Sequence, residues 1–164
     1  MTVIRPIKAS DWDAVWGIVE PVFRAGETYA FAPDMTQEEA HRNWVSLPAA
    51  TYVVEDDGSE ILGTYYIKAN QPGQGAHVCN CGYIVADTAR GRGIATQMCE
   101  HSQAVARDLG FRAMQYNLVV ASNEGAVRLW QSLGFEIAGT LPKAFNHPRL
   151  GFVDAHVMYK ELIG

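Results

Sequence analysis

The sequence has little of several features that would identify a function at once. Only three of its 164 residues are cysteines, and no run approaches the roughly 18 apolar residues of a membrane-spanning helix. Its 13 Lys and Arg residues are outnumbered by 18 Asp and Glu, and the formal charge of −5 excludes a broad basic surface. We therefore expect no nucleic-acid partner and no membrane partner, and any anion site must be local.

The cysteines do not form a recognisable metal or redox motif. Cys79 and Cys81 are two residues apart in an apolar segment, which suits one face of a strand and is too short for C-x-x-C. With Cys99 they are expected to be reduced, buried thiols. The histidines lack the spacing of a metal motif, and no metal site is expected. Because residues 1–9 lack the apolar core of a signal peptide, we expect a cytoplasmic protein.

The remaining composition is that of one globular domain, 1–164, with 48% hydrophobic and 19% charged residues. Ser10 is a predicted N-cap for a first helix, and Thr36 with Glu39 forms a capping-box signature for a second. A hairpin turn is predicted at 56–59, between strands at 51–55 and 60–69.

The second half alternates strands and helices. Strands are predicted at 77–85, 112–120, 135–140 and 152–162, a helix after residue 93 and another at 123–133, and a loop at 141–151. The complete order is β-α-α-β-β-β-α-β-α-β-β. It indicates an α/β (α+β) fold in which helices pack on the faces of a mixed sheet.

The segment with the clearest chemistry is the glycine-rich turn between the strand at 77–85 and the next helix. Glycines let the backbone approach a ligand closely, and the first N–H groups of a helix have no internal partner and attract anions. The turn is therefore a predicted pyrophosphate cradle. Because neither G-x-x-x-x-G-K-S/T nor G-x-G-x-x-G is present, ATP and NAD are disfavoured. The cradle residues are Arg90, Gly91, Arg92, Gly93, Ile94, Ala95 and Thr96.

Two motifs together resemble the GNAT-type N-acetyltransferase superfamily. The first is Arg90-x-x-Gly93-x-Ala95, and the second is Asn123-x-x-Ala126-x-x-x-Trp130-x-x-x-Gly134-Phe135. The resemblance implies a GNAT fold: a central mixed sheet of about seven strands with a splayed parallel pair, flanked by about four helices. It also implies direct transfer of an acetyl group from acetyl-CoA to an amine, without a metal.

The resemblance implies binding roles along the splayed pair. Backbone groups of Tyr83, Ile84 and Val85 would bind the pantetheine arm and polarise the thioester. The second motif would contribute Asn123, Ala126 and Trp130 to the cofactor site.

A closer similarity, to fungal proline-analogue (azetidine-carboxylate) acetyltransferases, is carried by Asn80-Cys-Gly-Tyr-Ile-Val and Tyr116-Asn117-Leu-Val. It implies that Asn117 contacts the acetyl-CoA arm and that Asn80 holds an amino-acid substrate. A structural bond to backbone is the alternative for each amide.

The reaction needs a group that accepts the amine proton, because an amine of pKa near 10 is mostly protonated at pH 7. Candidate bases are Glu27, His77 and Tyr83 through water. The tyrosine that supplies the acid in many relatives is replaced by Trp130, which leaves solvent, Tyr116 or no dedicated acid.

The favoured function is acetylation of a small-molecule amine, an amino acid or an analogue, by a homodimer of the kind common in the family. Residues 26–31 either line the acceptor pocket or pack on the core. The alternatives are acetylation of a protein or peptide amine, and a non-catalytic CoA-binding regulator.

Overall fold

A computed structural model describes residues 1–163, in which seven strands and four helices follow the predicted order. The strands are β1 (Thr2–Pro6), β2 (Ala50–Asp56), β3 (Ile61–Ala69), β4 (Val78–Val85), β5 (Ala113–Val120), β6 (Glu136–His147) and β7 (Gly151–Glu161). The helices are α1 (Trp12–Ala25), α2 (Gln37–His41), α3 (Ile94–Asp108) and α4 (Glu124–Ser132), and α2 continues into a π-helical turn, Arg42–Ser46.

All seven strands form one mixed sheet in the order β1-β2-β3-β4-β5-β7-β6. Within it β4 and β5 are parallel neighbours, paired only at Val78 with Ala113 and at Cys79 with Met114. Beyond these pairs the two strands separate, although β4 continues to Val85 and β5 to Val120. The predicted mixed sheet with a splayed parallel pair is therefore confirmed.

Each face of the sheet carries its own apolar core. One core includes Leu62, Met98 and Met114 and lies beneath α3 and α4, while the other includes Phe23 and Trp44 and lies beneath α1 and α2. The three cysteines are buried and free, as predicted. No helix in residues 1–163 has the length and apolarity needed to cross a membrane.

Two local predictions are confirmed by hydrogen bonds. The Thr36 hydroxyl accepts from the Glu39 N–H at 3.1 Å, and the Glu39 carboxylate accepts from the Thr36 N–H at 3.4 Å, which is a capping box. In the β2–β3 turn the Asp56 carboxylate accepts from the N–H groups of Gly58 and Glu60, each at 2.9 Å.

The predicted Ser10 cap is wrong. A 3-10 turn, Ala9–Asp11, precedes α1, and it is the Asp11 carboxylate that accepts from the Lys8 N–H at 2.7 Å. The same carboxylate pairs with Arg5 at 2.8 Å, and this ion pair lowers the pKa of Asp11. A charged partner on β1 thus favours Asp11 over the neutral serine.

The predicted loop at 141–151 is also wrong, because β6 extends to His147 and only residues 148–150 form the turn to β7. The register between β6 and β7 shifts between Leu141 and Phe145. This irregularity accommodates Pro142, which has no N–H to donate, and Lys143, whose φ is 52°.

Candidate active site

A cleft of about 770 Å³ opens where β4 and β5 separate. Ten of the predicted site residues line it, although they come from five separate parts of the chain. They are Glu27, Asn80, Tyr83, Ile84, Val85, Arg90, Asn117, Asn123, Ala126 and Trp130. The other six, residues 91–96, form the turn and first helical residues that follow Arg90.

The backbone of β4 alternates between its neighbour β3 and the open gap. The Asn70 N–H donates to the Val78 carbonyl at 2.8 Å, so even-numbered residues of β4 direct their backbone groups toward β3. The carbonyl of Tyr83 instead accepts from the Tyr29 hydroxyl at 2.8 Å. Tyr83 and Val85 therefore face the gap. The predicted backbone contact of Ile84 is not favoured, because its N–H and C=O point toward β3.

Asn80 lies where the two strands part and has partners on both sides. Its side-chain N–H donates to the Gln115 carbonyl at 2.9 Å, which replaces the next strand-to-strand bond. Its side-chain oxygen accepts from the Tyr66 hydroxyl at 3.3 Å. The structural alternative for this amide is therefore realised, and its predicted role toward a substrate stays a prediction.

Asn117 is exposed on β5, beside the irregularity where the pairing with β7 shifts between Tyr116 and Val119. Its side-chain N–H donates to the Asn70 side chain at 2.7 Å, and its oxygen accepts from the Gln115 side chain at 3.0 Å. The amide thus has side-chain partners and still borders the cleft.

The glycine-rich turn has the conformation that its sequence predicts. Gly91 and Gly93 have φ of 76° and 74°, values that favour glycine, and a Cβ added at either position would meet no atom within 4 Å. Because α3 begins at Ile94, the N–H groups of its first turn have no acceptor within the helix. The turn therefore presents open backbone donors, with exposed Arg90 held by Asp87 at 2.9 Å.

Tyrosine hydroxyls form a directed hydrogen-bond chain on the α3 side of the gap. Ser102 donates to the Cys99 carbonyl at 2.7 Å, so its oxygen is free to accept from Tyr83, also at 2.7 Å. The Tyr83 oxygen then accepts from the Tyr116 hydroxyl at 2.9 Å. In this arrangement the Tyr83 proton points to Ser102 of α3, and the Tyr116 proton points to Tyr83.

Burial raises the pKa of Tyr83 and of Tyr116 well above the ordinary tyrosine value, so both stay neutral near pH 7. Trp130 packs its ring against both tyrosines, with centroid distances of 5.1 Å. This face of the gap is thus aromatic, and its hydroxyl groups hydrogen-bond to other hydroxyl groups of the protein. The proposed use of Tyr83 as a base through water stays a prediction.

The other wall of the cleft comes from the connection between α1 and α2. Tyr29 and Phe31 stack with ring centroids 5.9 Å apart and line the cleft, so the segment 26–31 packs on the core and borders the pocket at once. Glu27 pairs with Arg149 of the β6–β7 turn at 3.2 Å. Its candidate role as a base stays a prediction.

Sequence reasoning missed two residues that line the cleft, Tyr66 and Lys68 of β3, and the place of Arg149 beside the cleft likewise depends on the fold. The β6–β7 turn positions Arg149, and His147 accepts from the N–H groups of Arg149 and Leu150 at 3.2 Å each. None belongs to a motif, because their positions depend on strand pairing. His77, by contrast, is exposed at the start of β4 and does not line the cleft.

In residues 1–163 no group of three or more His, Cys, Asp or Glu side chains is placed to hold a metal ion. In a comparison with protein families, residues 12–135 match the acetyltransferase (GNAT) family. The chain belongs to the GNAT family. This GNAT chain is accordingly an acetyltransferase, and its sheet, helices and splayed strands are those that the resemblance implied.

Among curated proteins, this GNAT chain is similar to the N-acetyltransferase aca1 of Schizosaccharomyces pombe, with 32% identity over 148 residues, 80% of this chain and 71% of that protein. A solved GCN5-related N-acetyltransferase from Kribbella flavida superposes with a TM-score of 0.93 and 41% identity, covering 98% of this chain and 97% of that one.

A phosphinothricin acetyltransferase from Sinorhizobium meliloti, solved in complex with AcCoA, superposes with a TM-score of 0.86 and 18% identity, covering 99% of this GNAT chain and 89% of that one. At that identity the similarity concerns the fold alone. The two nearer relatives are both named N-acetyltransferases, in agreement with the family assignment.

Proposed function

We propose that this enzyme transfers the acetyl group of acetyl-CoA directly to the amine of a small molecule, an amino acid or an amino-acid analogue. The observation that carries the proposal is the separation of β4 and β5 directly beside the open glycine turn. Acetyl-CoA would supply a thioester, whose carbon is open to attack by an amine. The protein would bind, orient and polarise it.

The residues of the turn fit a pyrophosphate. A Cβ at Gly91 or Gly93 would project into open space, so the absence of a side chain there leaves room for a ligand. The backbone N–H groups of residues 91–96 and the positive end of the α3 dipole favour an anion. Arg90 and Arg92 are exposed and would add charge-assisted bonds.

The gap fits an extended arm with amide groups. Tyr83 and Val85 direct backbone groups into it, and their N–H groups would polarise a thioester carbonyl. Asn117 and Asn123 line the same cleft and would bind the arm, with Ala126 and Trp130 as the α4 wall.

The residues of the site would act mainly by positioning the thioester and the amine. Trp130 cannot release a proton in the useful range, and the hydroxyl protons of Tyr83 and Tyr116 are donated to Ser102 and to Tyr83, respectively. A thiolate is a fair leaving group, so solvent suffices as the acid. Glu27, at the cleft wall, is the proposed acceptor of the amine proton, through water and in competition with Arg149.

A small acceptor is favoured by the contacts on the α1 side of the cleft. The exposed Glu27–Arg149 ion pair joins the α1–α2 connection to the β6–β7 turn, and the rings of Tyr29 and Phe31 border the cleft beside it. A bound peptide that crossed this side would have to displace the ion pair. The similarity of the segments at Asn80 and Asn117 to the fungal proline-analogue acetyltransferases supports an amino-acid analogue as acceptor.

The test is release of CoA from acetyl-CoA, followed with a thiol reagent, across free amino acids, proline analogues, methionine sulfone, polyamines and a lysine peptide. We expect turnover with amino acids or their analogues. Turnover with the peptide alone would favour the protein-acetylating alternative, and binding of acetyl-CoA without turnover would favour the regulator. Absence of acetyl-CoA binding would contradict the cradle assignment.

We further propose that the enzyme is a cytoplasmic homodimer. The free cysteines are consistent with a reducing compartment. β6 is an edge strand, and Ile137, Leu141 and Phe152 on β6 and β7 are exposed apolar side chains that a second copy would cover. Sedimentation velocity at micromolar concentration tests the dimer.

A further inference from the structure

We infer that Lys68 binds an acidic group on the acceptor, so that the enzyme selects amines that carry a carboxylate next to the reacting nitrogen. This inference rests on the proposed function and adds a specificity-determining residue to it. Lys68 belongs to no motif and was not among the residues that the sequence assigned.

The position of Lys68 follows from strand pairing. In the β3–β4 register Lys68 lies opposite Asn80, at the point where β4 and β5 part. Tyr66, two residues earlier, projects from the same face of β3. All three side chains line the cleft. The ammonium group is therefore presented on the face of the sheet that α1 and α2 cover, beside the start of the gap.

The charge of Lys68 has no acidic partner among residues 1–163. The other two charged side chains that line the cleft are paired, Glu27 with Arg149 and Arg90 with Asp87. The chain nevertheless carries more acidic than basic residues. An ammonium that borders a cleft without a carboxylate partner favours an anionic group on the ligand.

The Tyr66 ring holds this charge near the gap. Lys68 Nζ lies 5.3 Å from the centroid of the ring, which extends from β3 past Gly82 to the Asn80 side chain. Tyr66 is opposite Gly82, which precedes Tyr83, the first residue beyond it with backbone groups in the gap. The ring that supports the ammonium therefore lies one to three residues of β4 before Tyr83, about 3–10 Å along the strand.

The Tyr66 ring beneath the Lys68 ammonium is held in place by its neighbours. The Tyr66 ring packs edge-on against buried Trp44 with centroids 4.8 Å apart, and the Tyr66 hydroxyl donates to Asn80. Gly82 makes room for the ring, because a Cβ there would lie 2.5 Å from Tyr66 Cε2. A cation held over a fixed aromatic ring loses little freedom when it binds an anion.

Chemistry then defines the acceptor class. An α-amino acid or cyclic analogue holds its nitrogen two bonds from the carboxylate carbon, so a carboxylate bound at Lys68 keeps the nitrogen within the same cleft. A lysine side chain within a protein has no carboxylate near its nitrogen. We therefore expect the carboxylate to contribute affinity at Lys68 while the amine lies toward Tyr83.

The experiment compares L-proline, azetidine-2-carboxylate and methionine sulfone, each as the free acid and as the carboxamide, with acetyl-CoA saturating. For the wild type, kcat/KM should favour the acids. Lys68→Met keeps an apolar chain over the ring and removes the charge; it should lower kcat/KM for the acids by about tenfold to a hundredfold, mainly through KM, and change the amides by less than about threefold. Lys68→Arg should retain the preference for acids.

Lys8→Met is the matched control, because Lys8 is an exposed lysine outside the cleft lining, and it should behave as the wild type. Equal use of acids and amides by the wild type, or an equal loss on both with Lys68→Met, would overturn the inference while leaving acetyl transfer intact.

A second measurement separates this inference from failure of the proposed function. Propionate, which has a carboxylate and no amine, is titrated calorimetrically into the protein with CoA present. Binding by the wild type that Lys68→Met weakens at least about tenfold supports the Lys68 site even if no acceptor is turned over. Equal binding to both proteins, or binding to neither, overturns it.

Discussion

The two halves of the cleft offer a ligand different kinds of group. On the α3 side the proposed contacts are mainly backbone groups, from the glycine turn and from the free edge of β4, to which the side chains of Arg90, Arg92 and Asn123 are added. The tyrosine hydroxyls behind them bond to one another. On the α1 side the polar groups that border the cleft are side chains, Lys68, Asn80 and Glu27, which come from three different elements or loops.

This difference explains what each half tolerates. Backbone donors are independent of the residue type that carries them, so the α3 side is sensitive mainly to loss of glycine and to blocked space. The α1 side depends on side-chain identity and on the register between β3 and β4. We therefore expect changes on the two sides to affect different ligands: acetyl-CoA on the α3 side and the acceptor on the α1 side.

The largest effect should come from Gly93→Trp. A side chain here would project into the open cradle, while the left-handed backbone costs about 1–2 kcal/mol and leaves the fold intact. Calorimetric titration should show acetyl-CoA affinity reduced at least about a hundredfold. Gly110→Trp is the matched control, because Gly110 has φ of 88°, equally open space and a position at the far end of α3. Unchanged affinity in Gly93→Trp would show that the turn does not bind the cofactor.

Gly82→Ala, on the α1 side, should have a smaller effect, and this effect should fall on the acceptor and not on acetyl-CoA. The new Cβ would lie 2.5 Å from Tyr66 Cε2 and displace the ring that supports Lys68. The free energy of unfolding should fall by about 1–3 kcal/mol, and KM for the acceptor should rise while acetyl-CoA affinity stays the same. Denaturant unfolding and steady-state kinetics measure both.

Gly17→Ala serves as its control, because nothing lies within 4 Å of the added methyl group and α1 gains a better helix former. If Gly82→Ala weakened acetyl-CoA binding as strongly as acceptor binding, the division of the cleft into two independent halves would be untenable.

The smallest effect is expected from Tyr116→Phe. Its hydroxyl proton points to Tyr83, so kcat should fall less than about threefold, against the factor of about 10²–10⁴ that a dedicated acid contributes. A loss in that larger range would identify Tyr116 as the acid that Trp130 does not supply. Tyr52→Phe is the control, since Tyr52 stacks on Tyr65 outside the cleft lining.

Tyr116→Phe should also change how the free energy of unfolding depends on pH. Burial raises the pKa of Tyr116, so above about pH 10 the unfolded chain loses a proton that the folded chain keeps. This group therefore stabilises the fold below about pH 10, and its contribution is lost as the pH rises further. Tyr116→Phe should make the alkaline decline in unfolding free energy less steep.

Local signals in the sequence were sufficient for much of the fold. The capping box at Thr36 and the turn at Asp56 involve residues at most four apart, and both formed as predicted. The prediction of Ser10 as a helix cap was wrong because Arg5, on β1, forms an ion pair with Asp11 and so favours Asp11 in that position. The prediction of a loop at 141–151 was wrong because pairing with β7 continues β6 past Pro142, where the sequence suggested that the strand ends.

The sequence by itself determined the element order, the family resemblance and the glycine turn at 90–96, because glycine, helix start and basic residue lie within one short segment and need no distant partner. Only the tertiary structure decided which side chains meet on the proposed acceptor side. Lys68 meets Asn80 through the register of two strands, and Glu27 meets Arg149 across 122 residues. Such contacts depend on which strands pair and in what register, which the pattern of single residues does not contain.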